Sequence, residues 1–166
     1  MSEIAFFLLG DLPASIHEHE HSKHLCGYLG VPKDHPWYGK DYDEVDVEVH
    51  GGLTYYGQEH VSYRGNSERG KFLLEKGSKD WTEEEHQRYD AIPRWEASER
   101  DTAFPHNTGL DVWWFGFDCA HYDDWTIYSP DGIYRDEAYV RLELENLAKQ
   151  AMEATNREEQ HAKTTV

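Results

Sequence analysis

Val112, Trp113, Trp114, Phe115 and Phe117 form the apolar run that most limits what this chain can fold into. The run is dense in β-formers and suits a central strand better than a helix. It opens the stretch Asp111–Trp125, DVWWFGFDCAHYDDW. Side chains alternate along a strand, so Trp113, Phe115, Phe117 and Cys119 share one face, and Trp114, Gly116 and Asp118 the other. Gly116 removes bulk beside Asp118, as happens where a ligand or another backbone comes close. His121, Asp123 and Asp124 follow within six residues of Asp118. A carboxylate on a core strand, then a histidine and two more carboxylates as the strand ends, is where chemistry is expected. The ordinary alternative is a strand end rimmed by solvated charge.

A second segment carries the same kind of ending. Glu44–His50, EVDVEVH, alternates cleanly and predicts a strand with Val45, Val47 and Val49 facing the core. His50 is followed by Gly51 and Gly52, which would let a ligand or a neighbouring strand approach the backbone, or simply form a bulge. Leu53–Tyr56 continues extended.

The other elements are predicted around these two. Ile4–Leu9 reads as a first strand ended by a turn at Gly10–Pro13. His17, His19, His21 and His24 then fall within eight residues. Such a tract can bind a transition metal, but a solvated, pH-sensitive loop is the favoured reading. His24–Val31 reads as a short strand, and Pro32–Lys40 as a loop whose Trp37 plugs the core. Residues 58–107 are polar and irregular, with one helix over Thr82–Ile92 opened by a Thr82/Glu85 capping box and stopped by Pro93. This excursion supplies Arg64, Arg69, Lys71, Arg94 and Arg100 as candidate grips for an anionic ligand, or as ordinary surface charge. Asp136 is positioned to cap a final helix running to about Ala154, with Val140, Leu144, Leu147 and Ala151 as its buried stripe. Residues 156–166 read as a frayed tail. The resulting class is α+β: a mostly antiparallel sheet of four to five strands with a long C-terminal helix on one face.

At 166 residues the chain is most simply one domain, 1–166, with six Trp and eleven Tyr to fill its core. Its 16 basic residues against 33 acidic ones give a formal charge of −17, which argues against binding nucleic acid or an anionic membrane. A small phosphorylated ligand remains compatible, because one or two Arg residues and backbone N–H groups can hold a phosphate locally. No segment has the length of a spanning helix and the start carries no basic signal region, so the cytoplasm is the expected compartment. Cys26 and Cys119 are then expected as reduced thiols.

If the two strand ends meet, His50, Asp118, His121 and one of Asp123 or Asp124 would surround one pocket. Two mechanisms suit that set. His50 or His121 could act as a general base oriented by a carboxylate, or the same side chains could hold a divalent metal that activates water. Around them, Gly51, Gly52, Asp123, Asp124 and Arg64 are expected to line a ligand site, with Tyr55 and Trp114 stacking on a base.

The segments CGYLGVPKDHPWYG, VDVEVHGGLTYYG, WWFGFDCAHYDDW and YVRLELENLAKQ, in that order and spacing, resemble a family of small proteins encoded by bacteriophages and prophages. The resemblance implies an accessory protein made in the host cytoplasm and dispensable for the virion. By analogy with small phage proteins of this kind, it implies a counter-defence role directed at host nucleotide signals. Three functions compete: hydrolysis of a nucleotide-like small molecule, sequestration of it without turnover, and binding of a host protein by an acidic surface. A homo-oligomer is compatible with each.

Overall fold

The computed structural model describes residues 2–58, 81–91 and 112–164. Among them the strands are β1 (Ser2–Leu9), β2 (Leu12–Glu18), β3 (Leu25–Pro32), β4 (Tyr55–Gln58) and β5 (Val112–Asp118). The helices are α1 (Glu83–Ala91) and α2 (Glu137–Thr164). The strands form one antiparallel sheet in the order β1-β2-β3-β5-β4, and α2 packs on it against β3 and β2. The fold is therefore α+β, as the pattern of apolar residues predicts.

β5 is flanked by β3 and β4 and divides its side chains as alternation requires. Phe115, Phe117 and Cys119 enter the main core with Leu29, Val31 and the α2 stripe Val140, Leu144, Leu147 and Ala151. Trp114 points to the other face, into a smaller cluster with Phe6, Cys26, Tyr28 and Val112. The space left by Gly116 is taken by the Tyr28 ring from the paired position on β3, which a Cβ would overlap. Trp37 is buried edge-on to Phe115, at 5.9 Å between ring centroids, and so fills the core as expected.

Glu44–His50 is not a strand, in contrast to its alternating pattern. Tyr42–Glu44 forms a 3-10 turn closed by a reciprocal Asp41/Glu44 cap. After it, the Glu48 backbone pairs with α2 instead of with a strand. Gln150 accepts from the Glu48 N–H at 2.8 Å and donates to the Glu48 carbonyl at 2.8 Å, and Asn146 donates to the same carbonyl at 3.3 Å. Val45, Val47 and Val49 still pack on the main core. Alternation reports one buried side; it does not say whether a strand or a helix satisfies the backbone.

Two further expectations change. The turn and loop expected after Leu9 instead contain β2, which is paired on both edges through Ala14–Glu18. Pro13 lies outside the β2–β3 ladder and so breaks no hydrogen bond there. The tail expected to fray after Asn156 continues α2 to Thr164. Its Arg, Glu, Gln, Ala and Lys residues are good helix formers, and polarity alone does not end a helix. α1 is opened by the expected capping box, with Glu85 N–H to Thr82 Oγ1 and Thr82 N–H to Glu85 Oε2 both at 3.2 Å. α2 is opened by Asp136, whose Oδ1 accepts from the Tyr139 N–H at 2.9 Å. Ile92, Pro93 and the rest of the 58–107 excursion beyond Gln58 and 81–91 lie outside the described residues. No helix among the described residues is long and apolar enough to cross a membrane.

Candidate functional site

The bonds from Gln150 and Asn146 to Glu48 deliver His50 to the first turn of α2. His50 Nδ1 lies 2.8 Å from the Tyr139 hydroxyl, and its Nε2 lies 2.7 Å from Asp124 Oδ2. Asp124 sits in the loop after β5 with its side chain only 1% exposed. Its Oδ2 also accepts the His121 backbone N–H at 3.0 Å, and its Oδ1 accepts from Arg135 Nε at 3.0 Å. Burial pushes the Asp124 carboxyl up, but the hydrogen bonds from His50, the His121 amide and Arg135 outweigh it and hold it below the ordinary range. Asp124 is thus a buried carboxylate whose two oxygens are both in use.

His121 completes the group. Its ring centroid is 5.8 Å from that of His50, and its Nε2 is 3.4 Å from Asp118 Oδ1. Gly51 makes this approach possible. A Cβ there would overlap the His121 ring, and the backbone holds φ at +68°, where glycine is favoured. His50, Gly51, Asp118, His121 and Asp124 are therefore brought together from segments that lie on opposite sides of β4 in the chain.

The donors and acceptors of His50 can be counted. The Asp124 carboxylate has no proton to give, so Nε2 must carry one. When the Tyr139 hydroxyl donates to Glu143 Oε1, at 3.2 Å, Nδ1 must donate to Tyr139 and the ring is an imidazolium. When Tyr139 donates to Nδ1, the ring is neutral. Neither state leaves a lone pair on Nε2, so His50 can orient and carry charge but is not a free base. His121 and Asp118 differ: their side chains are 36% and 33% exposed.

The other expected site residues divide. Asp123 is exposed, and its carbonyl accepts the Ile133 N–H at 2.8 Å. Gly52 also has a positive φ, 81°, but no atom lies within 4 Å of its would-be Cβ. Tyr55 stands on β4 opposite Gly116, edge-on to Tyr28, in the smaller cluster behind the sheet. Trp114 cannot stack on a ligand as expected: it is 0% exposed and packs edge-on against Phe6. The alternation that puts it on the Asp118 face also puts it into the second core. Arg64 lies outside the described residues.

The histidine tract is only in part a solvated loop: residues 19–24 form the turn from β2 into β3, but His17 and His24 are buried. His17 belongs to β2 and is buried, with Nε2 at 3.1 Å from Ser15 Oγ. His24 is buried and stacks on His19, and Ser22 Oγ bridges their Nδ1 atoms at 2.7 and 2.9 Å. Burial, followed by the nearby His19, lowers the His24 pKa. Of the four, His21 alone is exposed. Among the described residues no group of three or more His, Cys, Asp or Glu side chains is placed to hold a metal ion. Burial pushes the Cys26 thiol up to about 12 and raises Cys119 as well, so neither is a thiolate nucleophile near neutrality.

Tyr139, Glu143 and Arg135 belong to the network but are not marked by any motif. Their one sequence signal is the four-residue spacing of Tyr139 and Glu143, which places them together on the helix surface.

Fold and site together define an antiparallel α+β protein with a His–carboxylate network at one end of its sheet. Compared with models of known families, with curated proteins and with solved structures, the chain matches none.

Proposed function

We propose that this is a bacteriophage or prophage accessory protein that works in the host cytoplasm and hydrolyses a small, phosphorylated, nucleotide-derived molecule. The observation that supports this reading is the division of labour among the ionisable groups. His50 and Asp124 are saturated and hold the structure, while the His121–Asp118 pair stands partly open beside them. In this reading His121 takes a proton from an attacking water and returns it to the leaving oxygen. Asp118, with Oδ1 3.4 Å from the buried His121 Nε2 and no hydrogen bond to it, steadies the imidazolium by its charge. His50 moves from base to positioning residue. The resemblance of the CGYLGVP, HGGLTYYG and WWFGFDCAH segments to those of phage-encoded proteins supports the source, and analogy with small phage proteins of that kind supports the counter-defence role.

The test is to incubate the protein with a panel of nucleotides and cyclic dinucleotides, following product formation and melting temperature together. A substrate is consumed, and it also raises the melting temperature by mass action. His121→Ala should abolish turnover while the melting shift persists. Turnover that depends on an added divalent cation and stops with a chelator would favour the metal mechanism over the histidine one. If no compound is consumed or bound, the reading is wrong.

Sequestration without turnover is a second reading, favoured by the proton fixed on His50 Nε2. It predicts a melting shift with no product in the wild-type protein.

A further inference from the structure

The described residues include nine exposed large hydrophobic side chains, and five of them lie on one short loop: Tyr122, Ile127, Tyr128, Ile133 and Tyr134. Their exposure runs from 46% at Ile127 to 98% at Tyr122. Scattered exposed apolar residues are ordinary; a concentration of this kind marks an interaction surface. Tyrosine in particular offers a large, rigid contact area with little rotamer freedom to lose.

The loop is rigidly built. Trp125 N–H donates to the Ile133 carbonyl at 2.9 Å, and Ile133 N–H donates to the Asp123 carbonyl at 2.8 Å. Ile127 N–H donates to the Ser22 carbonyl at 3.1 Å, which ties the loop to the histidine turn. The Trp125 ring stands edge-on to Tyr134 at 5.3 Å. Asp124 anchors the whole from below through His50 and Arg135. A loop whose backbone is cross-linked in this way loses little backbone entropy when a partner docks.

Charge selects the partner. Residues 122–136 contain Asp123, Asp124, Asp131 and Asp136, and their one base is Arg135. That guanidinium is held by Asp124 and lies 4.9 Å from the centre of the Tyr139 ring. Asp123, Asp131 and Asp136 are exposed without a cation from the loop itself. A second copy would bring the same carboxylates to the same place, on a chain of net charge −17.

We infer that the Tyr122–Tyr134 loop is a docking surface for another protein, one that presents an aliphatic centre within a basic rim. Apolar burial against the tyrosines and isoleucines supplies affinity, and the carboxylates supply steering and selectivity.

The test uses a labelled amphipathic helical peptide of Leu and Lys as the probe. An all-Lys peptide of equal charge and a Leu/Glu peptide serve as comparisons, with binding read by fluorescence anisotropy. The Leu/Lys peptide should bind at least tenfold more tightly than either comparison, and more weakly as salt rises. A Tyr128→Ser, Ile133→Ser double variant should weaken it at least tenfold. Leu142→Ser, which alters an exposed residue on α2, should not. Both sets of side chains are exposed, so the fold is retained, and a matching urea midpoint verifies this. Equal binding of the Leu/Lys and all-Lys peptides, indifference to the double variant, or no binding at all would overturn the inference. So would a concentration-dependent dimer in sedimentation that Ile133→Ser abolishes, because it would give the surface to a second copy.

Discussion

Replacing Asp124 by Ala tests the network most directly. The carboxylate is buried and accepts three hydrogen bonds, from His50 Nε2, the His121 amide and Arg135 Nε. Its removal strands these donors. Deleting one member of a buried pair typically costs about 3–5 kcal/mol. His50 and Arg135 retain 13% and 20% side-chain exposure, so water can partly replace the lost acceptor, and the lower end applies. The expectation is a loss of about 3 kcal/mol. For a domain of this size that corresponds to a fall in Tm of about 6–12 °C. Urea unfolding at pH 7.5, followed by Trp fluorescence, gives the free energy directly. Adding His50→Phe to Asp124→Ala removes one stranded donor, so the double variant should lose clearly less than the sum of the two single losses. Asp124→Ala within about 1 kcal/mol of wild type, or strict additivity with His50→Phe, would refute the claim that this carboxylate organises the site.

His35 accepts the Trp37 N–H on Nδ1 at 3.0 Å and donates from Nε2 to the Ala151 carbonyl at 2.8 Å; His35→Phe should orphan the Trp37 N–H and cost about 1–3 kcal/mol in a urea melt. Burial lowers the pKa of both His35 and His24 below 6.5, so their contribution is complete above that pH and is lost as pH falls towards their folded values. The urea midpoint should therefore drop between pH 7.5 and pH 5, and His35→Phe should flatten that drop. The depressed Asp124 carboxyl adds a second loss only at lower pH, below the ordinary 3.8. Gly52→Ala should cost only its positive-φ strain, about 1–2 kcal/mol, whereas Gly51→Ala should cost more and shift the His121 ring signals in NMR. Gln150→Ala should remove both bonds to the Glu48 backbone and cost about 1 kcal/mol, reduced from the usual range by their exposure, with hydrogen exchange at Glu48 as the readout.

The sequence discloses those parts of the fold whose periodicity has one interpretation. β5 and the α2 stripe are legible because a two-residue or 3.6-residue repeat of large apolar side chains has few alternatives. β2 is hidden because Pro13 and His17 look like loop residues, although Leu12, Ala14 and Ile16 do alternate into the core. Glu44–His50 misleads for the opposite reason: its alternation is real, but Gln150 takes the place of a neighbouring strand. At the site, His50, Asp118, His121 and Asp124 are legible as ionisable residues ending apolar segments. Tyr139 and Arg135 are not, because a hydrogen-bond partner supplied by another element leaves no local pattern. Trp114 shows the limit of composition: an aromatic near a polar cluster is as often core as ligand platform, and the face it occupies decides.

The position of the site follows from α2 more than from the sheet. His35 meets the helix at Ala151, Glu48 meets it at Gln150 and Asn146, and His50 meets it at Tyr139. At 1.5 Å per residue, Ala151 and Tyr139 are about 18 Å apart along the axis. The segment from His35 to His50 leaves the helix after Ala151 and crosses to the sheet. There the Lys40 carbonyl accepts from Trp113 Nε1, and Tyr42 packs on Tyr56. It returns to the helix at Glu48 and His50. Asp136, Tyr139 and Glu143 stand where that path ends, and Arg135 precedes them. The β5 loop arrives at the same point from the sheet and is joined through Asp124. Because the helix is fixed on the sheet by Val140, Leu144, Leu147 and Ala151, the separation of His50 and His121 is set by core packing. A change of volume at Leu144 or Leu147 would therefore reach the histidines without touching either of them.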